Sequence, residues 1–472
     1  MIYKYFVFFL AIQIKSLLRI LRISGGTALP GLIIERFYPK VLDELASNFS
    51  KKIIVISGTN GKTSTTNILK NIVSNNHISV ISNYSGSNLK RGIISAYLDS
   101  LNTFGKFVKN NSLIILEIDE AILPEICEKI RPSTILLLNL FRDQLDRYGE
   151  IDKIREKWLL TFSNTMFEHS QLHINADDYL LSDVAQNFAG SVHYYGVDDP
   201  LLEDKSSDPT IENHYCHCGK KISHSVRYYA HVGKWQCDDC GNQRIIPTTI
   251  ATNIRQDLNS VTFNLNSKNE SHSFTSSSIG LFSVYNAVAA FSIVLNLGMK
   301  MEHLVKGFSS ENNVFGRQEA FIIDQKRVKL FLVKNPAGLN QVIYALTQKN
   351  HYKNTSENKL KKLNILFALN NRVEDGKDVS WIYDADIERL SDHTNLLVIS
   401  GIRADDLALR FVMSNRENIM IEKDLKNSVK LILSKSPPNS DIYLLLTYSA
   451  MMKYRKYFAK ISGSKPFWVS ST

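Results

Sequence analysis

Cysteine is scarce in this chain, five residues in 472, and four of the five fall between Cys216 and Cys240. That clustering excludes the disulfide framework of a secreted protein and favours a reducing, cytoplasmic setting. Proline is also sparse at 11 residues and glycine totals 22, so the chain is neither collagen-like nor of low complexity. Long hydrophobic runs are missing too. The most apolar stretch, Met1 to Leu21, is interrupted by Lys4, Gln13, Lys15 and Arg19 and is followed by no small-residue cleavage site. It therefore reads neither as a spanning helix nor as a signal peptide. An amphipathic helix fits, packed on the body of the protein or lying at the inner face of the plasma membrane.

What is present is ordinary globular composition, 44% apolar and 22% charged, in a chain long enough for about two to four domains. The formal charge of +10 would suit an anionic partner. The basic residues are spread along the whole chain, however, and read as background composition with no nucleic-acid partner. Residues 1–50 form a helical lead-in, with Gly25-Gly26-Thr27 and Pro30-Gly31 breaking its first helix. Residues 51–320 alternate buried strand and helix: strands at 52–57, 112–117 and 134–138, helical periodicity at 64–74 and again at 283–297. This predicts an α/β fold with a central parallel sheet covered on both faces. A second α/β series in 321–472, Rossmann-like, has strands at 328–333, 363–369, 395–400, 418–421 and 442–447.

The first strand runs into Ser57-Gly58-Thr59-Asn60-Gly61-Lys62-Thr63-Ser64, which opens a helix. Glycines let the backbone curl so that N–H groups face phosphate oxygens, Lys62 supplies a point charge and Thr63 a hydroxyl for Mg²⁺. Position 56 is Ile, so the Walker spacing is not met. A metal-binding acid is expected at the carboxyl end of a neighbouring strand, where Glu117, Asp119 and Glu120 stand, Glu117 foremost. Between residues 211 and 247 the strand and helix pattern stops. Cys216-His217-Cys218-Gly219 and Cys237-Asp238-Asp239-Cys240-Gly241 predict an inserted zinc ribbon, its metal structural, with His214 or His217 as stand-ins for a thiolate. The fifth cysteine, Cys127, sits in a helix-like run and reads as a packing residue.

Gly58-Thr59-Asn60-Gly61-Lys62-Thr63 resembles the signature of the Mur ligase superfamily. Asn175-Ala176-Asp177-Asp178, Tyr285-Asn286-Ala287 and Phe315-Gly316-Arg317-Gln318-Glu319 agree with it. The resemblance implies that Asn286 lies by the adenine and Arg317 reaches the phosphates. Within that superfamily the chain is similar to the MurT branch, through Thr27-Ala28-Leu29-Pro30-Gly31, Leu138 to Gly149, Lys334-Asn335-Pro336-Ala337-Gly338 and Asp375-Gly376-Lys377-Asp378-Val379-Ser380-Trp381. That likeness implies ATP-dependent amidation of the lipid II stem peptide, D-glutamate becoming D-isoglutamine through an acyl-phosphate. Ammonia would come from a separate class I glutaminase subunit, GatD-like. Asp378, with Asp375 as the alternative, would complete the partner's cysteine–histidine pair. A Mur-type or folylpolyglutamate-type amino-acid ligase and a non-catalytic scaffold for a glutaminase are the competing readings.

Overall fold

The computed structural model describes residues 2–20, 28–49, 52–83, 87–108, 112–142, 151–202, 215–268, 270–309, 318–348 and 362–463. Strands β1 (Ile53–Ser57), β2 (Val80–Ser82), β3 (Leu113–Glu117), β4 (Thr134–Leu137), β5 (Gln171–Asn175) and β6 (Ser191–Val197) belong to the first sheet. A hairpin of β7 (Ser223–Tyr229) and β8 (Val232–Gln236) follows, and β9 (Thr249–Gln256), β10 (Val261–Ser267) and β11 (Glu270–Ser276) rejoin that sheet. Its order is β11-β10-β9-β6-β5-β4-β1-β3-β2. From β2 to β9 the pairing is parallel, as expected from the buried runs: all five residues of β1 are buried, which requires cover on both faces. The antiparallel extension β9 to β11 departs from the expected purely parallel sheet. In β10 buried Val261, Phe263 and Leu265 alternate with half-buried Thr262, Asn264 and Asn266, so one face packs on the core and the other stays polar.

The second sheet contains β12 (Ala320–Ile323), β13 (Lys326–Leu332), β14 (Leu363–Ala368), β15 (Thr394–Ser400), β16 (Met420–Ile421) and β17 (Asp441–Leu446), in the order β12-β13-β17-β14-β15-β16. The five strands read from the sequence are parallel. A sixth, β12, folds back on β13 through Asp324 and Gln325, both with positive φ (47° and 62°), the left-handed pair that a two-residue hairpin turn demands. No glycine marks the turn.

Ahead of β1 stand helices Ile2–Ile20, Ala28–Phe37 and Val41–Asn48. Pro30 and Gly31 do not end a helix; they lie in the first turn of the second one, where a missing N–H costs nothing. Gly31 is there for contact, because a Cβ at that position would sit 2.0 Å from the Arg91 carbonyl of helix Lys90–Leu98. Among the described residues, no helix is long and apolar enough to cross a membrane.

Candidate functional site

Strand β1 lies between β3 and β4, so the chain leaves its carboxyl end at a switch in strand order, where open α/β sheets form a crevice. Gly58 (φ 136°) and Gly61 (φ 91°) turn the backbone there, and helix Lys62–Asn75 begins at once, its positive end towards the crevice. Any side chain at Gly61 would collide with Asn286, whose Oδ1 stands 2.2 Å from the Cβ position. Asn286 thus packs against the phosphate turn, and Thr65 Oγ1 donates to its Oδ1 at 3.4 Å.

The turn is stitched to the segment after β4. Thr59 N–H donates to the Asn139 carbonyl (3.0 Å), Asn60 N–H to Asn139 Oδ1 (2.9 Å), and Asn139 Nδ2 returns a bond to the Asn60 carbonyl (3.0 Å). These two N–H groups therefore shape the turn, in contrast to the expectation that loop amides generally face phosphate. Asn60 also reaches the second domain, where Asn335 Nδ2 donates to its Oδ1 at 3.1 Å. Asn335 caps helix Pro336–Thr347 by accepting from Gly338 N–H at 2.8 Å.

Lys62 is buried and its Nζ lies 2.8 Å from Glu120 Oε2, while also donating to the carbonyls of Gly58 and Thr59. Burial pushes the ammonium down, but Glu120, with Glu117 and Asp119 beyond it, holds it above the ordinary lysine value. Burial likewise pushes the Glu120 carboxyl up, and Lys62 followed by Lys334 holds it below the usual range. Thr63 Oγ1 donates to Glu117 Oε1 at 3.1 Å. Asn83 fixes the Glu117 backbone from both sides, accepting from its N–H at 2.9 Å and donating to its carbonyl at 2.7 Å. Lys62, Thr63 and Glu117, read from the sequence, are thus brought together, and Glu120 joins them as the lysine's partner. Arg317 and the stretch 143–149 lie outside the described residues. Cys127 is buried among Leu123, Ile126 and Ile130, and burial pushes its thiol up, as suits a packing residue.

In the insert, the Sγ atoms of Cys216, Cys218, Cys237 and Cys240 all lie within 4.8 Å of one another, with 3.5 Å between Cys216 and Cys240 and between Cys218 and Cys237. Tetrahedral Zn–S bonds of about 2.3 Å put sulfurs about 3.8 Å apart, so the donor set fits that ion. Glycines at positive φ, Gly219 (81°) and Gly241 (73°), follow the second cysteine of each half and donate their N–H back to the carbonyl of the first, Cys216 (2.8 Å) and Cys237 (3.1 Å). The module is not a loose appendage. Asp177, at the end of β5, accepts from Arg244 Nε (2.5 Å), Val197 N–H (2.7 Å) and Tyr285 Oη (2.7 Å); Asp178 contacts His231 Nε2 (2.9 Å) and accepts from Leu140 N–H (3.0 Å).

Two family models match: the Mur ligase middle domain over residues 56–215 and the MurT ligase C-terminal domain over residues 332–451. The subunit MurT of lipid II isoglutaminyl synthase from Staphylococcus aureus (strain N315) is 31% identical over 409 residues, covering 85% of this chain and 86% of that protein. The chain belongs to the MurT family. The corresponding MurT of Streptococcus pneumoniae is 30% identical, with 93% of each chain covered. Among solved structures, a pseudomurein peptide ligase type C from Methanothermus fervidus shares the fold, with a TM-score of 0.65 at 19% identity, covering 89% of this chain and 80% of that one.

The MurT C-terminal domain carries the two aspartates that the sequence left as alternatives, and their surroundings differ. Asp375 is buried and accepts three hydrogen bonds, from Ser449 N–H (2.6 Å), Ser449 Oγ (2.5 Å) and Arg372 N–H (3.1 Å). Asp378 is exposed and holds only its own turn, through Ser380 N–H and Oγ, both at 2.8 Å.

Proposed function

We propose that this MurT-family chain is the synthetase subunit of a lipid II isoglutaminyl synthase. It amidates the α-carboxylate of D-glutamate in the lipid II stem peptide, giving D-isoglutamine for peptidoglycan. The observation that carries this reading is the buried Lys62, Glu120, Thr63 and Glu117 group at the switch point of the parallel sheet, in a chain that aligns with 86% of a MurT named for that reaction.

The substrate carboxylate attacks the γ-phosphorus of ATP, ADP leaves, and ammonia then displaces phosphate from the acyl-phosphate. The chain's part is to hold and neutralise charge. Lys62 places its ammonium at the mouth of the phosphate turn, where negative charge accumulates on the transferring phosphoryl oxygens. Thr63 and Glu117 would hold Mg²⁺, which would offset negative charge on the transferring phosphoryl group. Asn286 lies against the turn, and Arg317 is assigned to the phosphates by family likeness. Cys216, Cys218, Cys237 and Cys240 would hold a structural Zn²⁺ that fastens the two cysteine turns of the insert to each other. Ammonia comes from a GatD-like class I glutaminase, and the exposed Asp378 is the carboxylate offered to its histidine.

The test is amidation by the chain co-expressed with its glutaminase, given ATP, Mg²⁺, glutamine and lipid II, with product mass as the readout. ATP-dependent loss of about one mass unit per stem peptide supports the reading. ADP release that instead requires a free amino acid would identify an amino-acid ligase.

A further inference from the structure

The N-terminal helix is amphipathic the wrong way round for a surface helix in water. Its lysines face inward: Lys15 is 4% exposed and bound to Asp99 at 3.0 Å and to the Ser95 carbonyl, and Lys4 is bound to Glu44 at 2.5 Å. Its outward face carries Tyr3, Phe6, Phe9, Leu10 and Leu17, with Phe6 62% exposed, and the remaining described outward positions are the uncharged Gln13 and Ser16. Phe8 and Ala11 on the opposite side seat the helix in the core.

The apolar face does not stop at that helix. The helix it packs on, Ala28–Phe37, exposes Leu29, Leu32 and Phe37. Phe104, 69% exposed, belongs to the turn whose Gly105 abuts Phe8. Exposed cations accompany this surface: Arg36 beside Phe37, Lys40 just beyond, and Lys106 in the Phe104 turn. Exposed apolar side chains gathered on three elements that pack on one another mark a contact surface. Aromatic and leucine side chains rimmed by Lys and Arg match the boundary of an anionic bilayer, in a chain of formal charge +10. The surface is also tied to the reaction site: helix Ala28–Phe37 packs on helix Lys90–Leu98, and the segment just before that helix accepts from Asn83, which holds Glu117.

We propose that this face docks the enzyme on the anionic surface of a phospholipid membrane, lying on it without crossing, so that the crevice meets a lipid-linked substrate where that substrate resides. The inference rests on the reading of lipid II as substrate. Docking and catalysis are nevertheless separable by experiment.

The full chain with its glutaminase subunit is floated with vesicles of phosphatidylglycerol and phosphatidylcholine, and with phosphatidylcholine alone. Binding is expected to the anionic vesicles and to fall with salt. The double substitution Phe6→Gln/Leu10→Gln is expected to weaken it about tenfold or more. Arg36→Glu/Lys106→Glu is expected to weaken binding to anionic vesicles while leaving the complex and its melting temperature intact. Amidation of detergent-dispersed lipid II should be unchanged in both variants, which reads the reaction independently of docking. No flotation, or flotation indifferent to Phe6→Gln/Leu10→Gln, overturns the proposal. So does a variant that dissociates a homodimer or releases the glutaminase, since the face would then be a protein interface.

Discussion

Lys62 Nζ and Glu120 Oε2 stand 2.8 Å apart with both side chains buried. The lysine that serves the phosphate turn is therefore held by protein before any anion arrives. On the proposed function, an incoming phosphate would meet a charge already desolvated and aimed, which would reduce reorganisation during transfer.

Lys62→Ala is expected to reduce amidation by about 10²-fold or more. It also strands Glu120 as a buried charge, at a cost of about 3–5 kcal/mol in stability. The double variant Lys62→Ala/Glu120→Gln should recover much of the melting temperature and none of the activity. A stable double variant that still amidates would favour the scaffold reading.

Asp378→Asn should abolish glutamine-driven amidation, by about 10²-fold or more, and spare amidation driven by added ammonium chloride. Asp375→Asn should behave differently, lowering the melting temperature and both activities, because it breaks the bonds to Ser449 and Arg372. Equal loss of both activities in Asp378→Asn at unchanged stability would remove it from the partner's site.

The four-thiol cluster should hold about one zinc per chain by elemental mass spectrometry. Stripping the metal with a strong chelator should lower the melting temperature, and added zinc should restore it. Cys237→Ser should mimic the stripped state. Metal-free protein with unchanged melting would show that the hairpin needs no ion.

His173, on β5, lies under helix Leu281–Asn296 with Nδ1 2.9 Å from Ser292 Oγ. Burial, with His193 stacked beside it, pushes its imidazole down to about 3. The unfolded value is about 6.5, so between these limits the unfolded chain takes a proton that the folded one refuses. Stability therefore rises with pH across that window and is lost as pH falls below about 6.5, by up to about 1.4 kcal/mol per unit. His173→Gln should flatten the acid side of the melting profile. An unchanged slope between about pH 4 and 6 would place the acid sensitivity elsewhere.

Much of this molecule is legible in its sequence because buried parallel strands announce themselves. The five residues of β1 are apolar or small in an unbroken row, the run Leu363–Ala368 is interrupted only by Asn364, and both are strands. The phosphate turn was readable because its glycines, lysine and threonine are contiguous. Strands β9 to β11 carry a weaker signal, the two-residue alternation through Val261, Phe263 and Leu265, which is hidden among polar partners. The β12 to β13 turn uses Asp324 and Gln325 where glycine or asparagine is the usual mark. What the sequence could not disclose is pairing at a distance: Glu120 with Lys62, Asn139 with Asn60, and Tyr285 with Asp177 are joined only by the fold. The same limit hid the difference in burial between Asp378, the first choice from the sequence, and Asp375, its alternative.

The reciprocal amides of Asn60 and Asn335 give the phosphate turn a mechanical reach beyond its own sheet. One residue contributes its backbone to the turn and its side chain to the cap of a helix in the other domain. The turn and the first turn of helix Pro336–Thr347 thus share one joint, because neither amide can swing away without stripping the other of its partner.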